Sequence, residues 1–156
     1  MSGLYLASQS PRRTELLTQV GIEHTVVSSS YEEDNVVVTD PIEMVKAQAL
    51  GKARCAEGVP EGGIILGADT IVVFNGQVLG KPHSKDEARA MLRTLSGQVH
   101  SVITGVALLI KGREIVFHNE TKVYFKTLAD FEIESYIDSL EPMDKAGAYG
   151  IQGKGA

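Results

Sequence analysis

Apolar positions along the chain alternate between strand-like runs and helical spacing from the first residues onward. Gly3 to Ser8 is a short apolar run, after which Leu16, Leu17 and Val20 recur at helical intervals. Ser10 is placed to cap that helix and Pro11 suits its first position, where the missing N–H would be unsatisfied anyway. Gly21 stops it. His24 to Ser28 reads as a strand, and the polar stretch Ser28 to Asn35 that follows offers carboxylates on a loop. A second helix opens at Asp40-Pro41-Ile42-Glu43 and is expected to run to about Glu57.

Gly63 to Phe74 is apolar and β-branched except at Asp69 and Thr70, and Asn75-Gly76 is a hairpin turn into Gln77-Val78-Leu79. Ser84-Lys85-Asp86-Glu87 has the form of a capping box ahead of Ala88, Met91, Leu92 and Leu95, and Ser96-Gly97 ends that third helix. Val99 to Ile110 and Glu114 to Lys126 read as long strands joined at Lys111-Gly112-Arg113, with a last helix over Phe131 to Leu140. The tail from Asp144 to Ala156 is glycine-rich and irregular. Strands mixed with helices, two of them long and adjacent, predict an α/β fold whose sheet is mixed and partly antiparallel, with flanking helices.

Composition narrows the function classes. At 156 residues, 43% apolar and 22% charged, the chain has the makeup of one globular domain. Its 15 Lys and Arg against 20 Asp and Glu leave a net charge of −5, which argues against an extended nucleic-acid surface and suits a small anionic substrate. Cys55 is alone, so neither an internal disulfide nor a Cys/His zinc spacing is available. The start lacks a basic leader, and no segment approaches the roughly 18 apolar residues of a spanning helix, so a cytoplasmic protein without a membrane segment is expected.

Several residues break local rules. Arg12 and Arg13 stand in the first turn of a helix, where the macrodipole disfavours cations. An anion would resolve the conflict, with helix N–H groups and the hydroxyls of Ser8 and Ser10 joining the guanidiniums in a phosphate site; two solvated arginines are the plainer alternative. Asp69 is a carboxylate in an apolar run, which costs free energy unless a cation or hydrogen bonds meet it. A hard metal ion shared with substrate phosphates is one partner, with Glu32 or Glu33 as second ligand; strand-end backbone N–H groups are the other. Lys81, held extended by Pro82, and Lys52, near a helix C-terminus, are each equally readable as solvent-exposed cations. His100 suits packing or hydrogen bonding better than base catalysis, Cys55 suits a small core position, and Gly147 to Gly153 suits either a turn or close approach to a flat ligand.

Taken in order, Leu6-Ala7-Ser8-Gln9-Ser10-Pro11-Arg12-Arg13, Lys52-Ala53, Gly67-Ala68-Asp69-Thr70-Ile71-Val72, Gly80-Lys81-Pro82, Ser96-Gly97 with His100 and Thr104-Gly105, and Lys145 to Gly153 resemble the motifs of the Maf family, nearly end to end. The resemblance implies an α/β fold similar to the inosine triphosphate pyrophosphatases, two lobes around a cleft, and commonly a homodimer. It implies hydrolysis of a nucleoside triphosphate to its monophosphate and pyrophosphate with a divalent cation, Mg²⁺ first and Mn²⁺ second. In that pattern Asp69 looks like the catalytic acid residue, as base, metal ligand or both, and Glu33 like its loop partner, although Glu32 could fill that place. Ser8, Arg12, Lys52 and Lys81 would hold the triphosphate, and Arg13, Thr70 and Gln152 resemble the set of the branch acting on dTTP and UTP. Family members usually continue through a further strand and helix beyond the position of Ala156. A nucleotide-binding regulator of division or septum formation, with little catalysis, is the alternative reading.

Overall fold

The computed structural model describes residues 3–32, 40–139 and 146–149. In chain order these form β1 (Leu4–Ala7), α1 (Pro11–Gln19), β2 (Thr25–Val27), α2 (Pro41–Arg54), β3 (Ile64–Phe74), β4 (Gln77–Leu79), α3 (Lys85–Leu95), β5 (Val99–Ile110), β6 (Arg113–Tyr124), α4 (Asp130–Asp138) and a 3₁₀ turn at Ala146–Ala148. The sheet order is β2-β1-β3-β5-β6, with β4 paired to β3. β1 is parallel to both β2 and β3, whereas β4 is antiparallel to β3, so the sheet is mixed, as its sequence pattern predicts. Both tight turns take left-handed backbone, Asn75-Gly76 at φ 50° and 77° and Lys111-Gly112 at φ 49° and 78°, the conformation that two-residue hairpins require. No helix among the described residues is long and apolar enough to cross a membrane.

The chain divides into two compact units, Met1–Asp69 with Thr104–Asn119, and Thr70–Ile103 with Glu120–Ala156. In the first, Val45, Ala49 and Ala53 recur every fourth residue on one face of α2 and are fully buried. That face rests on glycine. A Cβ at Gly67 of β3 would stand 2.4 Å from the Ala49 carbonyl oxygen, and one at Gly105 of β5 would stand 2.3 Å from the Val45 carbonyl oxygen. Backbone thus meets backbone where other residues would hold helix and sheet apart, and Ala49, Ala53 and Ala107 form a core of small side chains.

α2 stops at Arg54, three residues short of the expected end. Past that point Glu57 N–H donates to the Ser28 carbonyl and Ser29 forms an isolated bridge with Ala56, so pairing with the segment after β2 replaces the helical ladder. Cys55 is the C-cap and only half-buried, not a core residue as its alanine neighbours suggest. At the other end the Asp40 carboxylate accepts from Ile42 N–H at 3.0 Å, as a cap should. α1 starts where expected, with Ser10 at the cap and Pro11 at its first position, but the Ser10 side chain makes no capping bond and none of the helix is buried.

The second unit has the larger side chains. Leu92 and Leu95 of α3, Ile133 and Ile137 of α4, Val72 and Tyr149 form one buried cluster. Ser84 Oγ accepts from Glu87 N–H at 3.1 Å, as the capping-box reading expects. The Arg89 guanidinium bridges the two helices, with Nη2 2.9 Å from Glu134 Oε2 and Nη1 2.5 Å from Asp86 Oδ1. This pairing holds the Glu134 carboxyl below its ordinary range.

Gly105→Ala should force α2 off β5, because the new methyl meets backbone and not the flexible end of a side chain. The expected loss of unfolding free energy is at the upper end of the about 1–3 kcal/mol typical of overpacking. Urea titration reads it as a lower midpoint at unchanged slope, and an unchanged midpoint would mean the helix can retreat without cost.

Candidate functional site

Side chains alternate across a strand, so Gly67 and Asp69 point to the same face of β3. Gly67 brings α2 close on that face, and Asp69 therefore emerges beside the last turn of the helix. Lys52 sits there, one residue before the buried Ala53. Its Nζ lies 3.1 Å from Asp69 Oδ1, with the two side chains only 18% and 11% exposed. A pair this sheltered is screened little by solvent, so each charge depends on the other more than a surface pair would. The sequence offered metal or backbone N–H groups as the partner of Asp69; one partner is Lys52.

β1 lies beside β3 in parallel register, Leu6 opposite Leu66. Continuing that register puts Ser8 level with Ala68, one residue from Asp69, just past the carboxyl end of β1 and beside the middle of β3. Ser8 is buried, and its Oγ accepts from Ser10 N–H at 3.1 Å and from Arg13 Nη1 at 2.9 Å. The first of these is a local turn bond that leads the chain into α1. Arg13 is turned onto Ser8, and Arg12 beside it is half-buried. The N-terminal turn of α1 carries no acidic residue and two arginines, which leaves a positive end at the same edge as Asp69.

Ser8, Arg12, Arg13, Lys52 and Asp69 thus belong to one unit. Thr70 and Lys81 belong to the other. Thr70 follows Asp69 on β3 and points to the opposite face, and Lys81 is exposed just past β4. Glu33 and Gln152 lie outside the described residues, and Glu32 is the last residue described before them. Among the described residues no group of three or more His, Cys, Asp and Glu side chains converges as a metal site. Sequence reasoning missed Gln48, buried one turn before Lys52 on α2, with an Oε1 that has no hydrogen-bond partner among the described residues. Its signal was a glutamine beside the apolar face of Val45 and Ala49.

In the second unit the described part of the glycine-rich tail, residues 146–149, is tied to the segment after β4 and to β5. Gly147 takes φ 71° and donates its N–H to the Gly80 carbonyl at 3.1 Å, and a Cβ there would press on Val72 at 3.0 Å. The tail motif thereby meets the segment that carries Lys81. Two residues on from Gly147, the Tyr149 hydroxyl lies 2.6 Å from His100 Nε2, and both rings stand edge-on to Phe125. Burial pushes the phenol up to about 12 and holds the imidazole below its ordinary value. A neutral imidazole bound to a neutral phenol is a packing arrangement, as expected for His100, not a base poised for catalysis.

A family model described as "Maf-like protein" matches residues 3–156. The chain belongs to the Maf-like family. A protein of Symbiobacterium thermophilum called dTTP/UTP pyrophosphatase is 52% identical over 156 residues, which take in all of this chain and 80% of that one. Proteins of the same name from Bacillus cytotoxicus and Bacillus cereus are 47% and 46% identical, again over the whole chain and 82% of their own. The Ham1 protein of Staphylococcus aureus has 13% identity and a TM-score of 0.49 over 79% of this chain and 71% of that one, a likeness too distant to carry weight. In this Maf-like chain the motif glycines of Gly67-Ala68-Asp69 and Thr104-Gly105 are the two that seat α2 on the sheet.

The His100 shift has a definite sign. Its folded value lies below the ordinary 6.5, so unfolding takes up a proton once the pH drops beneath that value. Stability that His100 contributes in full above about 6.5 is then lost as the pH falls toward the lowered value. The advantage of wild type over His100→Gln in urea unfolding should accordingly shrink between about pH 7.5 and pH 5. A difference that stays constant across that window would remove His100 as the titrating group.

Proposed function

We propose that this chain hydrolyses dTTP and UTP to the monophosphate and pyrophosphate. The observation that carries the reading is the sheltered Lys52–Asp69 pair, set beside Ser8 and the arginine-bearing start of α1 just past the carboxyl end of β1. A carboxylate there can take a proton from an attacking water, and the cations beside it suit a polyphosphate. The names of the close relatives support the nucleotide class.

Without substrate, Lys52 balances and orients Asp69. A triphosphate competes for the ammonium, and Lys52 moving toward phosphate oxygens would leave the carboxylate to accept a proton. Arg12, Lys52 and the α1 N–H groups would then offset the charge that grows on the departing pyrophosphate. Arg13, held on Ser8, fixes that hydroxyl against the same end of the helix.

A divalent cation fits this donor set. Mg²⁺ binds by one or two carboxylates together with substrate phosphates, without an all-protein cage, and a buried Asp69 with an acidic run starting at Glu32 offers that sparse chemistry. When bound, the ion would polarise the phosphoryl group and lower the charge barrier to attack. Asp69 and the acidic run, Glu33 by resemblance, are the residues proposed to hold it. Thr70, Lys81 and Gln152 enter as substrate contacts on the resemblance alone, as do the homodimer and the cytoplasmic location.

Incubating the protein with Mg²⁺ and dTTP, UTP, CTP, ITP or 7-methyl-GTP should release monophosphate and pyrophosphate from dTTP and UTP above the others. Nucleotide binding without turnover would favour the regulatory alternative. Asp69→Asn should lower kcat by about 10²-fold or more while circular dichroism stays that of wild type, and unchanged turnover would remove Asp69 from the chemistry.

A further inference from the structure

The segment after β2 is stitched to the last turn of α2. Ser29 donates its hydroxyl to the Lys52 carbonyl at 2.7 Å, Ser30 N–H donates to the Cys55 carbonyl at 3.0 Å, and Glu57 N–H donates to the Ser28 carbonyl at 2.9 Å. Tyr31 comes next, and its own N–H reaches back to Ser29 Oγ at 3.4 Å. Its ring lies where Gly51 of α2 has no side chain: a Cβ on Gly51 would stand 2.1 Å from Cε1, 2.5 Å from Cδ1 and 2.6 Å from Cζ.

Helical geometry does not call for that glycine. In a helix interior glycine is less favourable than alanine, because it gives up more backbone freedom on folding, and Gly51 sits inside α2. The Tyr31 ring accounts for it. The seat lies one residue before Lys52, whose ammonium is on Asp69, and Glu32 follows Tyr31 directly. Ring and glycine therefore fasten the segment ending at Glu32 to the turn that carries Lys52.

We infer that Tyr31, seated over Gly51, is a positioning residue of this site, pinning the turn of α2 from which Lys52 reaches Asp69. The inference rests on the hydrolase reading for the reaction it serves. Tyr31 acts through its neighbours, so what matters is the ring, not the hydroxyl.

Gly51→Ala evicts the ring, and Tyr31→Ala removes it without altering α2. Each should speed hydrogen exchange at the Ser30 and Glu57 amides by about tenfold, leave α3 exchange as in wild type, and lower kcat for dTTP by about 10²-fold with KM little changed. Tyr31→Phe keeps the ring and should match wild type in both readouts. Unaltered exchange in Tyr31→Ala, or faster exchange with wild-type kcat, would overturn the inference, and the tyrosine pair decides it even where Gly51→Ala does not fold. A wild-type protein inert toward every nucleotide would count against the hydrolase reading; slow amides in wild type and fast ones in Tyr31→Ala would then uphold the seat, and equal rates would overturn it.

Discussion

The contact of α2 with the sheet through Gly67 and Gly105 is the constraint on which the first unit depends. Helices and sheets normally stand apart by the thickness of their side chains. Here two carbonyl oxygens of α2, those of Val45 and Ala49, occupy the space where a Cβ would be. Polar backbone is brought close without opening a void because Ala49, Ala53 and Ala107 fill what remains with single methyl groups. The arrangement has a chemical product: a lysine one residue off the buried face reaches a carboxylate one alternation beyond the glycine. Close packing and the charged pair are thus two results of one approach.

The second unit is held by other means. Leucine, isoleucine and aromatic side chains make its core, Arg89 ties α3 to α4, and the tail returns to Gly80 and His100. Ala148 there takes φ 65° and is fully buried, a left-handed conformation that costs a non-glycine residue of order 1 kcal/mol or more. The buried Tyr149 beside it, with its hydroxyl on His100, supplies a tertiary contact that holds the turn in place.

Much was legible from single segments. The helix starts at Asp40 and Ser84, the Asn75-Gly76 and Lys111-Gly112 turns and the long strands rest on local chemistry, which a short window of sequence contains. The misreadings came where a distant partner intervened. Ser10 stands at the cap without a side-chain capping bond, its N–H donated to Ser8. α2 ends early because the segment after β2 claims its last groups. Cys55 gives its carbonyl to Ser30 and is only half-buried. Gly51 and Gln48 raised no expectation at all, since a glycine or an amide in a helix acquires meaning only from what lies opposite.

By itself, then, the sequence determined the order and kind of the elements, the anionic character expected of the ligand and the family, because propensity, capping, turn chemistry and motif order are carried by neighbours along the chain. Only the tertiary structure decided that Lys52 is a partner of Asp69, that Arg13 is held by Ser8, and that Tyr31 needs Gly51. The first and last of these join groups far apart in sequence, and their meeting depends on how closely α2 approaches its neighbours, while the Arg13 bond turns on the side-chain conformation at the start of α1; spacing along one segment contains neither.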